Sequence, residues 1–461
     1  MSDISDTIGA RTISIEKLTK ADLPRTVLRL AWPVVLETTF FGLGGIINTI
    51  LVGRLGASAL AAVGLGQQIE FMIQVSFAAI TVGAMAVVSR HVGAKEIKEA
   101  NQTVGQALIL AVILGLLFSL LLWVFAGQAM KLLRGRPDVI KLGVKYIRAV
   151  AFSFMPSFIF AAGSSCFRGA GNTRTPMIVM AAVTICNIIL GYLLIYGGLG
   201  FPSLGVLGAG VGASISRLIG AAIIIMLLIR GGGVLKYRLS SSWPFDMVMI
   251  RRIFRIGLPA GIEQIQLQLA MTVYTVILSS LGTKIYAAHS IAMRIEGLAF
   301  MPGFGFGMAA MALVGQSLGA GRPEVGEMAA RLARKYAMIV MTIVGVIMFF
   351  FGAGMASLFI SDLQVIALSA LSLKIWALAM PMMGTSNTLA GGLRGAGDTR
   401  WVLLIMTGCI WLLRLPLAYF LALAIHLGPV GAWSAAVLDI NIRGTLLWWR
   451  FSRGGWKKIK I

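Results

Sequence analysis

Four glutamates, Glu37, Glu70, Glu263 and Glu296, lie inside long apolar stretches of the chain. A charge near the centre of a bilayer costs at least ~2.5–3.5 kcal/mol, so a carboxyl kept there is read first as functional. The four form two pairs of equal spacing: Glu37 and Glu263, like Glu70 and Glu296, are 226 residues apart. Polar groups recur around them at helical spacing. Glu37 follows Pro33 by four residues, and the proline ring removes a helical donor and loosens the local backbone. Asn48 returns to nearly the same helix face, with Gly44 and Gly45 between. Glu263 follows Pro259 in the same way, among Gln264, Gln266 and Gln268. Glu70 has Gln67 and Gln74 one turn away on either side, and Glu296 has His289 seven residues before it, with Arg294 nearby. Burial disfavours the charged form of a carboxyl, so taking up H⁺ is an inexpensive way to neutralise it. A cationic substrate could compete with H⁺, or with a Na⁺ ion near Glu37 or Glu263, for the same group. Such competition is the simplest form of coupled exchange. For Glu70 and Glu296 a structural ion pair, for instance Glu296 with Arg294, is an equal reading. Arg217, Arg414 and Asp439 read as a structural group, with Asp439 neutralising Arg414 or Arg443.

These side chains need helices to position them. Of 461 residues 58% are hydrophobic and 12% charged, which excludes an ordinary soluble domain and points to many membrane spans. Twelve stretches are long enough, near 26–50, 60–90, 106–126, 148–167, 175–197, 205–229, 252–280, 286–316, 336–358, 372–392, 401–425 and 430–449. The net charge of +23 does not call for nucleic acid. Most Lys and Arg fall in alternate short loops and at the two ends, so both termini are expected in the cytoplasm. The outer loops then hold Arg54, Lys131, Arg134, Arg136, Lys141, Lys145 and Lys284, and the stretch from Arg134 to Lys145 is discordant. The first 25 residues lack the apolar core of a cleavable signal. Cys166, Cys186 and Cys409 make neither a metal spacing nor a disulfide framework, and read as small buried hydrophobes.

The chain is an internal duplication. At an offset of 226, Arg29, Pro33 and Glu37 fall on Arg255, Pro259 and Glu263, Leu55-Gly56 on Leu281-Gly282, and Gly93-Ala94 on Gly319-Ala320. At the same offset Arg168-Gly169-Ala170-Gly171-Asn172-Thr173-Arg174 falls on Arg394-Gly395-Ala396-Gly397-Asp398-Thr399-Arg400, six of seven residues agreeing. These glycine-rich motifs follow no strand and precede no Lys-Ser/Thr, so they are not phosphate loops. Their glycines suit a tight turn, and their arginines suit lipid headgroups. An even number of spans per repeat makes the repeats parallel. The expected organisation is an N-terminal segment (1–25), a first lobe of six helices (26–230), a linker (231–249, with Gly231-Gly232-Gly233, Arg238 and Ser240-Ser241-Ser242), a second lobe (250–450) and a basic tail (451–461). The reading is an all-α integral membrane protein with twelve transmembrane helices, built for alternating access, and not an enzyme. It has neither clustered Asp residues for metal and diphosphate nor a soluble catalytic domain.

Three patterns resemble the multidrug and toxic compound extrusion (MATE) family. They are Pro33 with Leu55-Gly56 and Ala61-Ala62-Val63-Gly64, the two Arg-Gly-Ala-Gly motifs, and Leu281-Gly282 with Ala287-Ala288-His289, Val314-Gly315-Gln316 and Leu318-Gly319. The resemblance implies a V-shaped, two-lobe exporter of the inner membrane. It would exchange bulky, often cationic or amphipathic compounds for H⁺ or Na⁺, with no other cofactor, and act as a monomer. It departs from the family where many members carry Asp, with Asn48 in helix 1, Gly191 four residues after Asn187 in helix 5, and Met383 in helix 10. The candidate cavity set is therefore Glu37, Glu263, Asn48, Glu70, Glu296, Gln264, Asn187 and His289. The alternative is a lipid-linked oligosaccharide or lipid flippase of the same broad superfamily, which would need Arg and Lys for a pyrophosphate.

Overall fold

The computed structural model describes residues 15, 18–133, 136–198, 200, 202–231, 233–237 and 245–459. The expectations for residues 1–14, Arg134, Gly232, Arg238, the three linker serines and the last two tail residues lie outside the described residues.

The first repeat folds as α1 Leu23–Gly53, α2 Ala57–Ser76, α3 Ala78–Gly93, α4 Ile97–Leu132, α5 Pro137–Ala151, α6 Phe154–Gly169, α7 Arg174–Tyr196 and α8 Val206–Arg230. The second folds as α9 Met247–Ser279, α10 Thr283–Ala299, α11 Met301–Gly319, α12 Pro323–Ser357, α13 Leu363–Ala377, α14 Met380–Gly395, α15 Thr399–Ala424 and α16 Gly428–Ser452. The offset seen in the sequence sets the helix starts: α2 and α10, α4 and α12, α5 and α13, and α6 and α14 each begin 226 residues apart. Packing is duplicated too, with α3 on α6, α4 on α6, α2 on α5 and α6 on α8 matched by α11 on α14, α12 on α14, α10 on α13 and α14 on α16.

The two repeats make twelve transmembrane helices. Eight helical runs are apolar and long enough to cross a bilayer, among them α2 with α3 and α10 with α11 as single spans. Two more spans are bent, α5 to α6 by 48° and α13 to α14 by 55°. The fourth and tenth spans are thus longer than the apolar stretches 148–167 and 372–392, since each begins with a helix that the hydropathy minimum near its bend cuts away. The remaining two, α9 and α16, carry the polar load, Glu263 with three glutamines and Asp439 with Arg443.

Two compact units result, Leu36–Gly257 and Ile13–Val35 with Leu258–Ile461. Helices α1 and α9 therefore change unit part-way, two residues after Pro33 and one before Pro259. A proline inside a helix removes one main-chain hydrogen bond and pushes on the preceding turn, so the crossing falls where the helix is weakest. The first unit has one apolar core under α2–α8. The second has two, one around α11, α12, α14 and the start of α1, the other around α9, α10, α13 and α15.

Candidate functional site

The turn after α6 explains how the first glutamate is held. Gly171 adopts φ 84°, a conformation only glycine takes without strain, so the chain reverses within two residues. The amide of Asn172 donates to the Phe167 carbonyl at 2.9 Å and that of Gly171 to the Arg168 carbonyl at 2.9 Å. The copy after α14 is the same: Gly397 has φ 86°, and the amides of Asp398 and Gly397 donate to Leu393 and Arg394 at 2.8 and 3.0 Å. The helix ahead of each turn lies against its neighbour without side chains between, since a Cβ on Gly169 or Gly395 would stand 2.7 or 2.1 Å from the carbonyl oxygen of Met85 or Met311.

That approach turns the motif arginine inward rather than to lipid headgroups. Arg168 Nη1 donates to Glu37 Oε1 at 2.7 Å, and Arg394 Nη2 donates to Glu263 Oε1 at 2.5 Å. Both glutamates are buried, Glu37 6% and Glu263 2% exposed. In each pair the second carboxylate oxygen, Oε2, is buried and has no hydrogen-bond partner. An isolated buried charge is prohibitively costly, whereas a charge-assisted bond to a guanidinium makes it tolerable.

Glu70 is held differently. Arg217 Nη2 on α8 donates to Glu70 Oε2 at 2.8 Å, and the Tyr146 hydroxyl on α5 donates to Oε1 at 2.9 Å. Arg217 also reaches the Ser153 hydroxyl at 2.6 Å, in the bend between α5 and α6. Both oxygens of Glu70 are thus satisfied within the first unit. In the second unit Arg414 lies 2.9 Å from Asp439, and Arg443, the repeat counterpart of Arg217, lies 3.8 Å from the same oxygen. Asp439 therefore neutralises Arg414 as the sequence suggests, while Arg217 belongs with Glu70.

Glu296, the repeat counterpart of Glu70, has no such support: its Oε1 is buried without a hydrogen-bond partner, and Arg294 is exposed on another face of α10. His289 is 1% exposed, neither ring nitrogen has a hydrogen-bond partner, and its ring meets Tyr274 edge to face at 5.6 Å. Asn48, Asn187 and Gln264 are half-buried. Gln266 accepts from Trp411 Nε1 at 2.6 Å, tying α9 to α15. Among the described residues no three His, Cys, Asp or Glu side chains gather as a metal cluster. The three cysteines are free, Cys166 and Cys409 buried. A groove of about 670 Å³ in the first unit, lined by Leu116, Trp123, Phe152, Met155 and Leu218, contains none of the candidate residues.

Sequence reasoning missed Arg168, Arg394, Tyr146, Trp376 and Trp433 as part of these clusters. For the two arginines a signal existed, because they repeat at the offset of the glutamates they hold.

Comparison with known proteins agrees with this duplicated architecture. The MatE family model matches residues 33–193 and 259–420, and the two matches start 226 residues apart, at Pro33 and Pro259. A probable multidrug resistance protein NorM from Thermotoga maritima is 31% identical over 96% of this chain and 95% of its own length. The multidrug resistance protein PmpM of Pseudomonas aeruginosa is 27% identical over 95% of this chain and 92% of its own. Among solved structures, an outward-facing conformation of a multidrug resistance MATE family transporter superposes with a TM-score of 0.89 at 22% identity, covering 98% of this chain and 100% of that one, which establishes the shared fold.

Proposed function

The chain belongs to the MATE family of multidrug efflux transporters, and we propose that it exports bulky cationic or amphipathic compounds across the inner membrane in exchange for H⁺ or Na⁺. One observation carries this reading. Each repeat holds a buried glutamate, Glu37 or Glu263, with one oxygen on an arginine and the other without a hydrogen-bond partner. The second oxygen is an acceptor for a proton or a small cation. Loading it weakens the carboxylate's hold on the arginine, because the attraction depends on the full negative charge. Ion binding at one end of a pair therefore changes how firmly α1 is tied to α6, or α9 to α14. Alternating access needs such a change, with substrate and ion favouring different states. The exporter acts as a monomer with both termini in the cytoplasm, as the distribution of Lys and Arg supports.

The flippase reading needs arginines or lysines free to hold a pyrophosphate. Arg168, Arg217, Arg394 and Arg414 each lie against a carboxylate, which disfavours it.

The test is ethidium efflux from vesicles carrying the protein, with pH and Na⁺ gradients imposed separately. Efflux driven by one gradient, reduced at least tenfold in Glu37→Gln or Glu263→Gln protein that folds normally, is the expected result. Wild-type rates in both variants would remove the two glutamates from the coupling, and no efflux under either gradient would overturn the exporter reading.

A further inference from the structure

The duplication supplies an internal control for deciding which buried polar groups the fold itself requires. Groups that frame both repeats recur at the offset of 226, as Glu37–Arg168 and Glu263–Arg394 do. One polar cluster does not recur. In the second unit it comprises Tyr274 on α9, His289 and Glu296 on α10, Trp376 on α13, Arg414 on α15, and Trp433 with Asp439 on α16. Apart from Glu70, the residues at the matching positions of the first repeat are Asn48, Val63, Val150, Ile188, Leu207 and Ala213. The same helices pack in the same order around those residues, so the fold does not need the polar set.

The cluster is also incompletely satisfied. Glu296 Oε1, both nitrogens of His289, the indole nitrogens of Trp376 and Trp433 and the Nε of Arg414 are buried with no hydrogen-bond partner. Each such group costs about 1–3 kcal/mol when left unpaired, so a concentration of them marks a place that handles a polar guest. Arg414 sits between the rings of Tyr274 and Trp376, 5.7 Å from each, at the end of a π-helical stretch, Gly408–Arg414, that widens α15. Such widened turns are frequent where a helix presents a functional group.

Comparison with Glu70 shows how Glu296 becomes free. Glu70 is taken up by Arg217 and Tyr146. At the counterpart of Tyr146 the second repeat has Ser372, and at the counterpart of Arg217 it has Arg443, which turns to Asp439. Asp439 stands where the first repeat has Ala213. The added aspartate captures the arginine and leaves the glutamate without one.

We propose that the interior of the second unit holds a single-copy proton site in which Glu296 is the carboxyl that is loaded and unloaded, with His289 and Tyr274 beside the path to it. This rests on the exporter reading and specifies its coupling ion. The donor set favours a proton over Na⁺. Hard cations require several oxygen ligands, whereas the unpartnered groups around Glu296 are nitrogens, and those of the two indoles and Arg414 can only donate. The charged and titratable groups packed around Glu296 are Tyr274 from α9, Arg414 from α15, Asp439 and Arg443 from α16, and His289 on its own helix, while Lys374 of α13 is turned to Phe349. In each cycle one proton bonds to a Glu296 oxygen from one side of the membrane and leaves to the other, as substrate moves the opposite way.

The direct test needs no substrate. Infrared difference spectra between acidic and alkaline pH, recorded on the protein in lipid, report the C=O band of a protonated carboxyl. That band is expected to be lost in Glu296→Gln and kept in Glu37→Gln and Glu263→Gln. In vesicles, Glu296→Gln is expected to lose at least tenfold of any ethidium efflux driven by a pH gradient. An unchanged band in Glu296→Gln, or efflux in the wild type that follows Na⁺ alone, overturns the proposal while leaving the exporter reading intact. If Glu296→Gln does not fold, Glu296→Asp serves: a shifted pH midpoint of the band supports the site, and an unmoved midpoint refutes it.

Discussion

Removing Arg394 should destabilise the protein by an amount that depends steeply on pH. Glu263 is 2% exposed and its Oε1 accepts from Arg394 at 2.5 Å. Truncation to alanine leaves a carboxylate buried with no countercharge on either oxygen, a change that costs about 3–5 kcal/mol where the charge must stay. The carboxyl can escape by taking a proton. A solvated glutamate ionises near pH ~4.3 and each pH unit is worth ~1.36 kcal/mol, so holding the group neutral at pH 7 costs about 3.7 kcal/mol. At pH 5 the same cost is about 1 kcal/mol. Arg394→Ala should therefore lose about 3–4 kcal/mol at pH 7 and recover most of it at pH 5, since the unpaired group is penalised only while its solvated reference is ionised. Glu263→Gln in the same background removes the charge and should restore the stability at pH 7. Thermal unfolding of purified protein in one detergent at the two pH values measures this, with the wild type scanned at both. A loss equal at pH 5 and pH 7, or no loss at pH 7, would refute the claim that the arginine is there to hold a buried carboxylate.

Two further outcomes follow from the geometry. Gly395→Ala should destabilise by about 1–3 kcal/mol, and more than Gly169→Ala, because its Cβ would stand 2.1 Å from a main-chain oxygen rather than 2.7 Å; folded yield and melting temperature in the two variants report the order. At the start of α13, Asp362 accepts from the amides of Val365 and Gln364, which holds its carboxyl below the ordinary 3.8. A depressed carboxyl stabilises above the unfolded value and stops doing so as pH falls through the folded one, so Asp362→Ala should melt below wild type at neutral pH and coincide with it once the pH is well under 3.8.

Periodicity and composition made the helices and their duplication legible, because both depend on residues close in sequence. The offset taken from Arg168–Arg174 and Arg394–Arg400 sets the starts of α5, α6, α13 and α14 as well. What the buried glutamates do was not legible from their own helices. Glu37 and Arg168 are 131 residues apart, and helical spacing reveals only neighbours within a turn or two. Headgroup anchoring was the natural reading of an arginine at a helix end, and it fails because Gly169 and Gly395 bring their helices so close to α3 and α11 that the arginine is carried inward. The bends between α5 and α6 and between α13 and α14 escaped because hydropathy records which residues are apolar, not where a helix breaks.

The asymmetry between the repeats also has an electrostatic consequence. In the first unit the interior carboxylates and guanidiniums match one for one, Glu37 with Arg168 and Glu70 with Arg217. In the second, Glu263 matches Arg394, and Asp439 serves both Arg414 and Arg443, so the balance closes only if Glu296 is ionised. Protonating Glu296 leaves one uncompensated positive charge in that interior. At an effective dielectric constant of about 20 and a separation of about 6 Å, losing the attraction between Glu296 and Arg414 is worth about 3 kcal/mol. A difference of that size moves a two-state equilibrium by roughly a hundredfold. One proton at a group without a dedicated arginine can therefore shift the balance between conformations, whereas a proton at Glu70 would first have to displace both Arg217 and the Tyr146 hydroxyl. On this argument the duplicated pairs hold the scaffold, and the single-copy cluster is where a small change in occupancy has the largest effect on it.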